Sequence, residues 1–146
     1  MAKLIYITLF VALLSTFGCK SSKVTQSRTK SLDYVTQKKF EKAFFDANKQ
    51  KILNNQSKAL ELYKSALTID PKSHATMFQM AKLYYELEKY NEALYWAEES
   101  VFKNKEYNHW YSGQLAQFYN KFGKYSQSAE VFSTMVDNEP NVRENY

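Results

Sequence analysis

The side chains that could carry acid–base or metal chemistry are few: His74 and His109, and the carboxylate pairs Glu86 with Glu88 and Glu98 with Glu99. A zinc site takes three or four protein ligands, and two histidines a full repeat apart, each at the start of a helix, are expected to face solvent rather than share an ion. The glutamates are neighbours in sequence, not on one helical face, and read as solvated surface. A phosphate cradle needs a glycine-rich loop, whereas Gly18, Gly113 and Gly123 are isolated. No serine, histidine and acid set stands in a recognisable motif. Cys19 is the single cysteine, so no internal disulfide forms. These absences argue against an enzyme, and no metal or cofactor is expected. What remains is binding.

The elements that would position a binding surface are legible in Met80 to Ala97. Met77, Met80, Ala81, Tyr84 and Leu87 fall at helical spacing, and Ala93, Leu94, Ala97 and Val101 repeat it. Between them Glu88-Lys89-Tyr90-Asn91 allows a polar turn, with Asn91 able to cap the second helix. Ala81 and Ala93 sit where two backbones must approach, which predicts an antiparallel helix pair. The pattern recurs: Ala47, Ala59 and Ala66 precede Ala81, Ala93 and Ser100 by 34 residues, and Ala116, Tyr119 and Tyr125 follow Ala81, Tyr84 and Tyr90 by 35. Pro71 and Pro140 close the first and third units. The predicted helices run from Asp33 to about Leu53, Lys58 to Ile69, and about 75–87, 91–103, 109–122 and 126–138.

These residues resemble the tetratricopeptide repeat. The first unit supplies Ala47, Ala59, Tyr63, Ala66 and Pro71; the second Met77, Met80, Ala81, Tyr84, Tyr90, Ala93, Ala97 and Ser100. The third supplies Leu115, Ala116, Tyr119, Gly123, Tyr125, Ser128, Phe132 and Pro140. The pattern breaks at Asp46, Gln50, Lys105 and Met135. The resemblance implies an all-α solenoid of three antiparallel helix pairs, at about 40–73, 74–107 and 109–142 within 33–142, whose first helices line a concave groove. The family's ligand-facing positions, carried over, are Phe44, Asn48, Lys51, Phe78, Lys82, Tyr85, Trp110, Gln117, Asn120 and Lys121. Phe44, Phe78 and Trp110 would serve equally as core between adjacent units. The carboxylate-gripping clamp of co-chaperone members would fall on Phe44, Asn48, Gln79, Trp110 and Gln114; only Asn48 fits, so that clamp is absent.

The chain opens with Lys3 and the apolar run Leu4 to Leu14, shorter than the roughly 20 residues that span a bilayer, and reads as an export signal over residues 1–18. Gly18-Cys19 resembles the lipobox of bacterial lipoproteins, which implies acylation of Cys19. A cleaved secretory signal with a chance cysteine, or a retained short anchor, fits the same residues. Residues 19–32 hold the lipidated cysteine and a polar stretch without helical period, read as a disordered tether of roughly 20 Å. Between 20 and 42 seven cations oppose two acids, while residues 43–146 hold twelve cations and thirteen acids, so the net charge of +5 belongs to the tether and first helix. Nucleic-acid binding would want cations along a groove and is not expected; the tether is either a solvated linker or drawn to anionic lipid headgroups.

After Pro140, Asn141 to Tyr146 reads as the start of a further helix or a tail, with 143–146 beyond the repeats. Val131, Met135 and Val136 are expected to lack a cover, which implies a fragment of a longer array, a partner, or self-association through that uncapped helix. Richness in Lys, Asn, Tyr and Phe with few Gly and Pro is similar to that of AT-rich bacteria such as the Bacteroidota. The sequence thus predicts a non-catalytic scaffold that binds a protein or peptide, lipid-anchored at Cys19 on the periplasmic face of the outer membrane. An outer-membrane assembly or pilus-biogenesis lipoprotein and a self-associating spacer are the alternatives.

Overall fold

A computed structural model describes residues 32–103 and 107–139. The export segment, Cys19, the tether, Lys105 and Pro140 to Tyr146 lie outside the described residues. Six helices follow one another: α1 (Tyr34–Ile52), α2 (Gln56–Ile69), α3 (His74–Glu86), α4 (Tyr90–Phe102), α5 (His109–Lys121) and α6 (Tyr125–Asn138). Among the described residues there is no strand.

The first helix of each pair is started by a side chain. Asp33 Oδ1 accepts from the amides of Val35 and Thr36 at 3.0 and 3.2 Å. Ser73 Oγ accepts from Thr76 at 3.2 Å, and Asn108 Oδ1 from Tyr111 at 3.1 Å. Each satisfies an amide that the helix itself leaves without a partner. The same helices end in a left-handed residue: Asn54, Glu88 and Gly123, at φ 61°, 59° and 69°. The next amide in each case, that of Asn55, Lys89 or Lys124, donates back to Gln50, Tyr84 or Tyr119 at 2.9, 2.9 and 2.8 Å. This is the Schellman turn, repeated at the 34- and 35-residue spacing of the alanines. Because it reverses the chain so sharply, α4 already begins at Tyr90, and Asn91 is its second residue rather than its cap. The second helices α2, α4 and α6 have no side-chain cap.

Each first helix packs on its own second helix, and α2 and α4 pack on the helices that follow them. Ala47, Ala59, Ala66, Ala81, Ala93 and Ala116 are all fully buried, which lets the helix axes approach closely. Two phenols fasten helices together: Tyr63 donates to Asn48 Oδ1 across the first pair at 2.9 Å, and Tyr119 donates to Glu98 Oε1 of α4 at 2.9 Å. Glu98 is therefore a structural partner and not merely solvated surface. Ser128 replaces the second-helix alanine of the other pairs and donates to the Ala116 carbonyl at 3.0 Å.

Val131 and Met135 do not lack a cover: both are buried, Met135 at 2% exposure, and Val136 is half-buried. The reason is a reversal of sizes within the third pair. At one repeat position stand Phe44, Phe78 and Gly113; at another stand Ala66, Ser100 and Met135. A Cβ on Gly113 would lie 3.5 Å from Met135 Cε, so the glycine leaves the space that the methionine fills.

Candidate functional site

The helices α3 and α5 run side by side and interlock through aromatic rings. Phe78 meets Trp110 edge to face at 4.9 Å between centroids, and Tyr111 and Phe118 at 5.8 and 6.3 Å. Tyr85 meets Phe118 at 5.9 Å. Helical spacing sends Phe78, Lys82 and Tyr85 of α3 to the same side, as it does Trp110, Gln114, Gln117 and Lys121 of α5. Above this aromatic floor lies a cleft of about 420 Å³, lined by Phe78, Gln79, Lys82, Tyr85, Glu86, Trp110, Gln114, Gln117, Phe118 and Lys121.

Three glutamines supply donors and acceptors in pairs, the pattern that an extended peptide backbone presents in return. Lys121 Nζ lies 4.9 Å from the Tyr85 centroid and 5.9 Å from that of Phe118, and Lys82 Nζ lies 5.9 Å from Phe78, so both ammoniums rest on ring faces. Glu86 is offset by Lys51 of α1 at 3.2 Å. Lys82 and Lys121 thus set the sign of the cleft.

Six of the ten residues expected in the groove line this cleft: Phe78, Lys82, Tyr85, Trp110, Gln117 and Lys121. They do not play one part: Phe78 is floor at 4% exposure, while Trp110 stands 54% exposed at the rim. The α1 residues are used otherwise. Phe44 packs against Phe40 and Tyr63 with centroids 5.9 and 6.1 Å away. Asn48 donates to the Phe44 carbonyl at 2.9 Å and receives the Tyr63 hydroxyl, so its amide is occupied inside the first pair. Lys51 pairs with Glu86, and Asn120 is exposed outside the cleft. Sequence reasoning missed Gln79, Glu86, Gln114 and Phe118 as lining. A signal existed: Gln79 and Gln114 are 35 residues apart, and so are Glu86 and Lys121, which place opposite charges at one repeat position.

Both histidines are half-buried and have partners, so neither is simply the solvent-facing side chain expected. His74 donates through Nδ1 to the Ser100 carbonyl and stacks on Tyr111 at 5.3 Å. His109 Nδ1 lies 3.3 Å from Glu139 Oε2 and 3.3 Å from the Tyr107 hydroxyl. Among the described residues, no three of His, Cys, Asp and Glu are grouped to hold a metal ion, and no helix is long and apolar enough to cross a membrane.

No family model and no curated protein matches the chain. Solved structures do. The N-terminal domain of stress-induced protein-1 (STI-1) from C. elegans superposes with a TM-score of 0.62 at 16% identity, covering 78% of this chain and 93% of that one. The first TPR of Spaghetti (RPAP3), bound to the HSP90 peptide SRMEEVD, gives 0.59 at 18% identity, covering 74% and 85%. YrrB, described as a TPR protein with an unusual peptide-binding site, gives 0.56 at 20% identity, covering 75% and 60%. With six helices in three antiparallel pairs and these structural neighbours, the chain has the all-α solenoid fold of tetratricopeptide-repeat proteins.

Proposed function

We propose that the chain is a non-catalytic interaction scaffold whose α3–α5 cleft binds an extended, acidic segment of a partner protein. The observation that carries this reading is the cleft itself: three glutamine amides and two ring-mounted lysines above an aromatic floor. Two structural neighbours support it, since one holds a peptide and another is described as having a peptide-binding site. The test is selection of a displayed library of random linear peptides on the full chain, followed by titration of the selected peptides against intrinsic tryptophan fluorescence. Acidic sequences should be enriched, and Lys82→Glu with Lys121→Glu should weaken them by at least about tenfold while the helical spectrum is kept. If the charge-reversed protein enriches the same peptides, the cleft is not the site.

The scaffold is exported and tethered through an acylated Cys19 in a bacterial envelope, a reading supported by Lys3, the Leu4 to Leu14 run and the Gly18-Cys19 pair. Acyl label should enter the wild-type chain and be lost in Cys19→Ala; equal labelling of both would refute the anchor.

A further inference from the structure

The outward side of α1 differs in kind from that of the other first-pair helix. Within α1 the exposed residues are Lys38, Lys39, Lys42 and Lys49 together with Tyr34, Val35, Phe45 and Ile52, without one acid. On α2 the exposed residues are Ser57, Lys58, Glu61, Lys64, Ser65 and Thr68, an ordinary water-facing mixture. The apolar members on α1 are not marginal: Val35 is 60% exposed, Phe45 64%, Ile52 84%, and Leu53 just past the helix 57%.

At 3.6 residues per turn, Ile52, Phe45, Lys38, Lys49, Lys42 and Val35 succeed one another around about 100° of the helix. This arc is a continuous face. The other side of α1 is committed to the stack, with Ala47 buried, Phe44 against Tyr63 and Lys51 reaching Glu86. Glu41 and Asp46, at the edges, are held by Lys38 at 2.7 Å and Lys42 at 2.6 Å, which leaves the arc, with three lysines, in excess of positive charge, and Lys39 adds to it just beyond Asp46. Lys20, Lys23, Arg28 and Lys30 continue the same sign up to the start of the helix.

Water alone does not favour a phenylalanine and an isoleucine so far exposed, and protein interfaces are depleted in lysine at their centres. An anionic lipid surface suits both groups, because apolar side chains enter the boundary below the headgroups while lysine stems lie along it and place their ammoniums on phosphates. We infer that the outward face of α1 docks on an anionic membrane surface, with Val35, Phe45, Ile52 and Leu53 immersed and Lys38, Lys42 and Lys49 on the headgroups. The inference rests neither on acylation of Cys19 nor on the cleft.

The test uses the full chain carrying Cys19→Ser, with one cysteine returned at Phe45→Cys or Ile52→Cys and, as controls, at Ser57→Cys or Tyr95→Cys. Each is labelled with an environment-sensitive dye and mixed with phosphatidylcholine vesicles, with and without phosphatidylglycerol and with brominated acyl chains as quencher. Dyes at 45 and 52 should shift to the blue and be quenched only with phosphatidylglycerol present, while those at 57 and 95 stay unchanged. Lys42→Glu with Lys49→Glu should raise the lipid concentration needed by at least about tenfold. Four equal signals would mean that the amino-terminal run alone holds the chain, and would overturn the inference. So would no signal at any position, an equal response to pure phosphatidylcholine, or a shift that grows with protein concentration without lipid, which marks a contact between copies.

Discussion

Asn54, Glu88 and Gly123 share one left-handed backbone conformation in three successive turns, and only one of them is the residue type that adopts it without steric cost. Gly113 is the opposite case, a glycine inside α5 whose backbone is helical and whose missing side chain makes room for a neighbour. In the sequence both are isolated glycines, and nothing local tells them apart; the repeat register does, since Gly123 aligns with Asn54 and Glu88, and Gly113 with Phe44 and Phe78. Their alanine variants should therefore move stability in opposite directions. Gly123→Ala should lower it by about 1 kcal/mol through strain at φ 69°. Gly113→Ala should raise it by roughly 0.8 kcal/mol through helix propensity, because its Cβ meets Met135 Cε at an ordinary 3.5 Å. Urea midpoints of the two variants decide the matter, and shifts of the same sign would show that one role is misassigned.

At the level of helices, apolar spacing and alanine register were sufficient to read all six elements, since both record the faces that must be buried. The starts of the second helices are expected one or two residues late, at Lys58, 91 and 126 where the structure has Gln56, Tyr90 and Tyr125, because the left-handed turn reverses the chain more tightly than its polar residues indicate. The fastening of helices by phenols was not legible, since it depends on where a buried side chain ends and not on its spacing. That fastening makes the molecule sensitive to alkali. Burial, and then the charge of Glu86, push the Tyr63 hydroxyl up to about 12, and burial followed by the Glu98 hydrogen bond raises that of Tyr119. The unfolded chain loses these protons near the ordinary tyrosine value of about 10. Stability is therefore fully present below that pH and drains away as pH rises towards 12. Helical circular dichroism should fall over this window, and more shallowly in Tyr63→Phe, which should itself cost about 1 kcal/mol at neutral pH by leaving Asn48 without its donor. A wild-type spectrum unchanged across the window would refute the coupling.

For the molecule as a whole, the stack of three pairs was legible because a repeat announces itself three times, whereas the cleft was legible only in part. Carrying ligand positions evenly along the chain placed three of them on α1, yet Phe44 and Asn48 serve the interior of the first pair, and the cleft belongs to α3 and α5. Repeat register says which positions can face a ligand, but the neighbours of each side chain decide which do. The burial of Val131 and Met135 teaches the same lesson in the last helix, where apolar spacing alone suggested a bare face.

The exchange of bulk between Gly113 and Met135 also limits how such a chain can evolve. A gene that copied its middle hairpin over its last would bring in a phenylalanine and a serine together and keep the volume balanced, but a phenylalanine at 113 alone would collide with Met135 and a serine at 135 alone would leave a void. Large changes of bulk at these two codons, 22 positions apart, are therefore tied to a common fate, and descendants of this chain should carry a bulky residue at one position or the other but not at both.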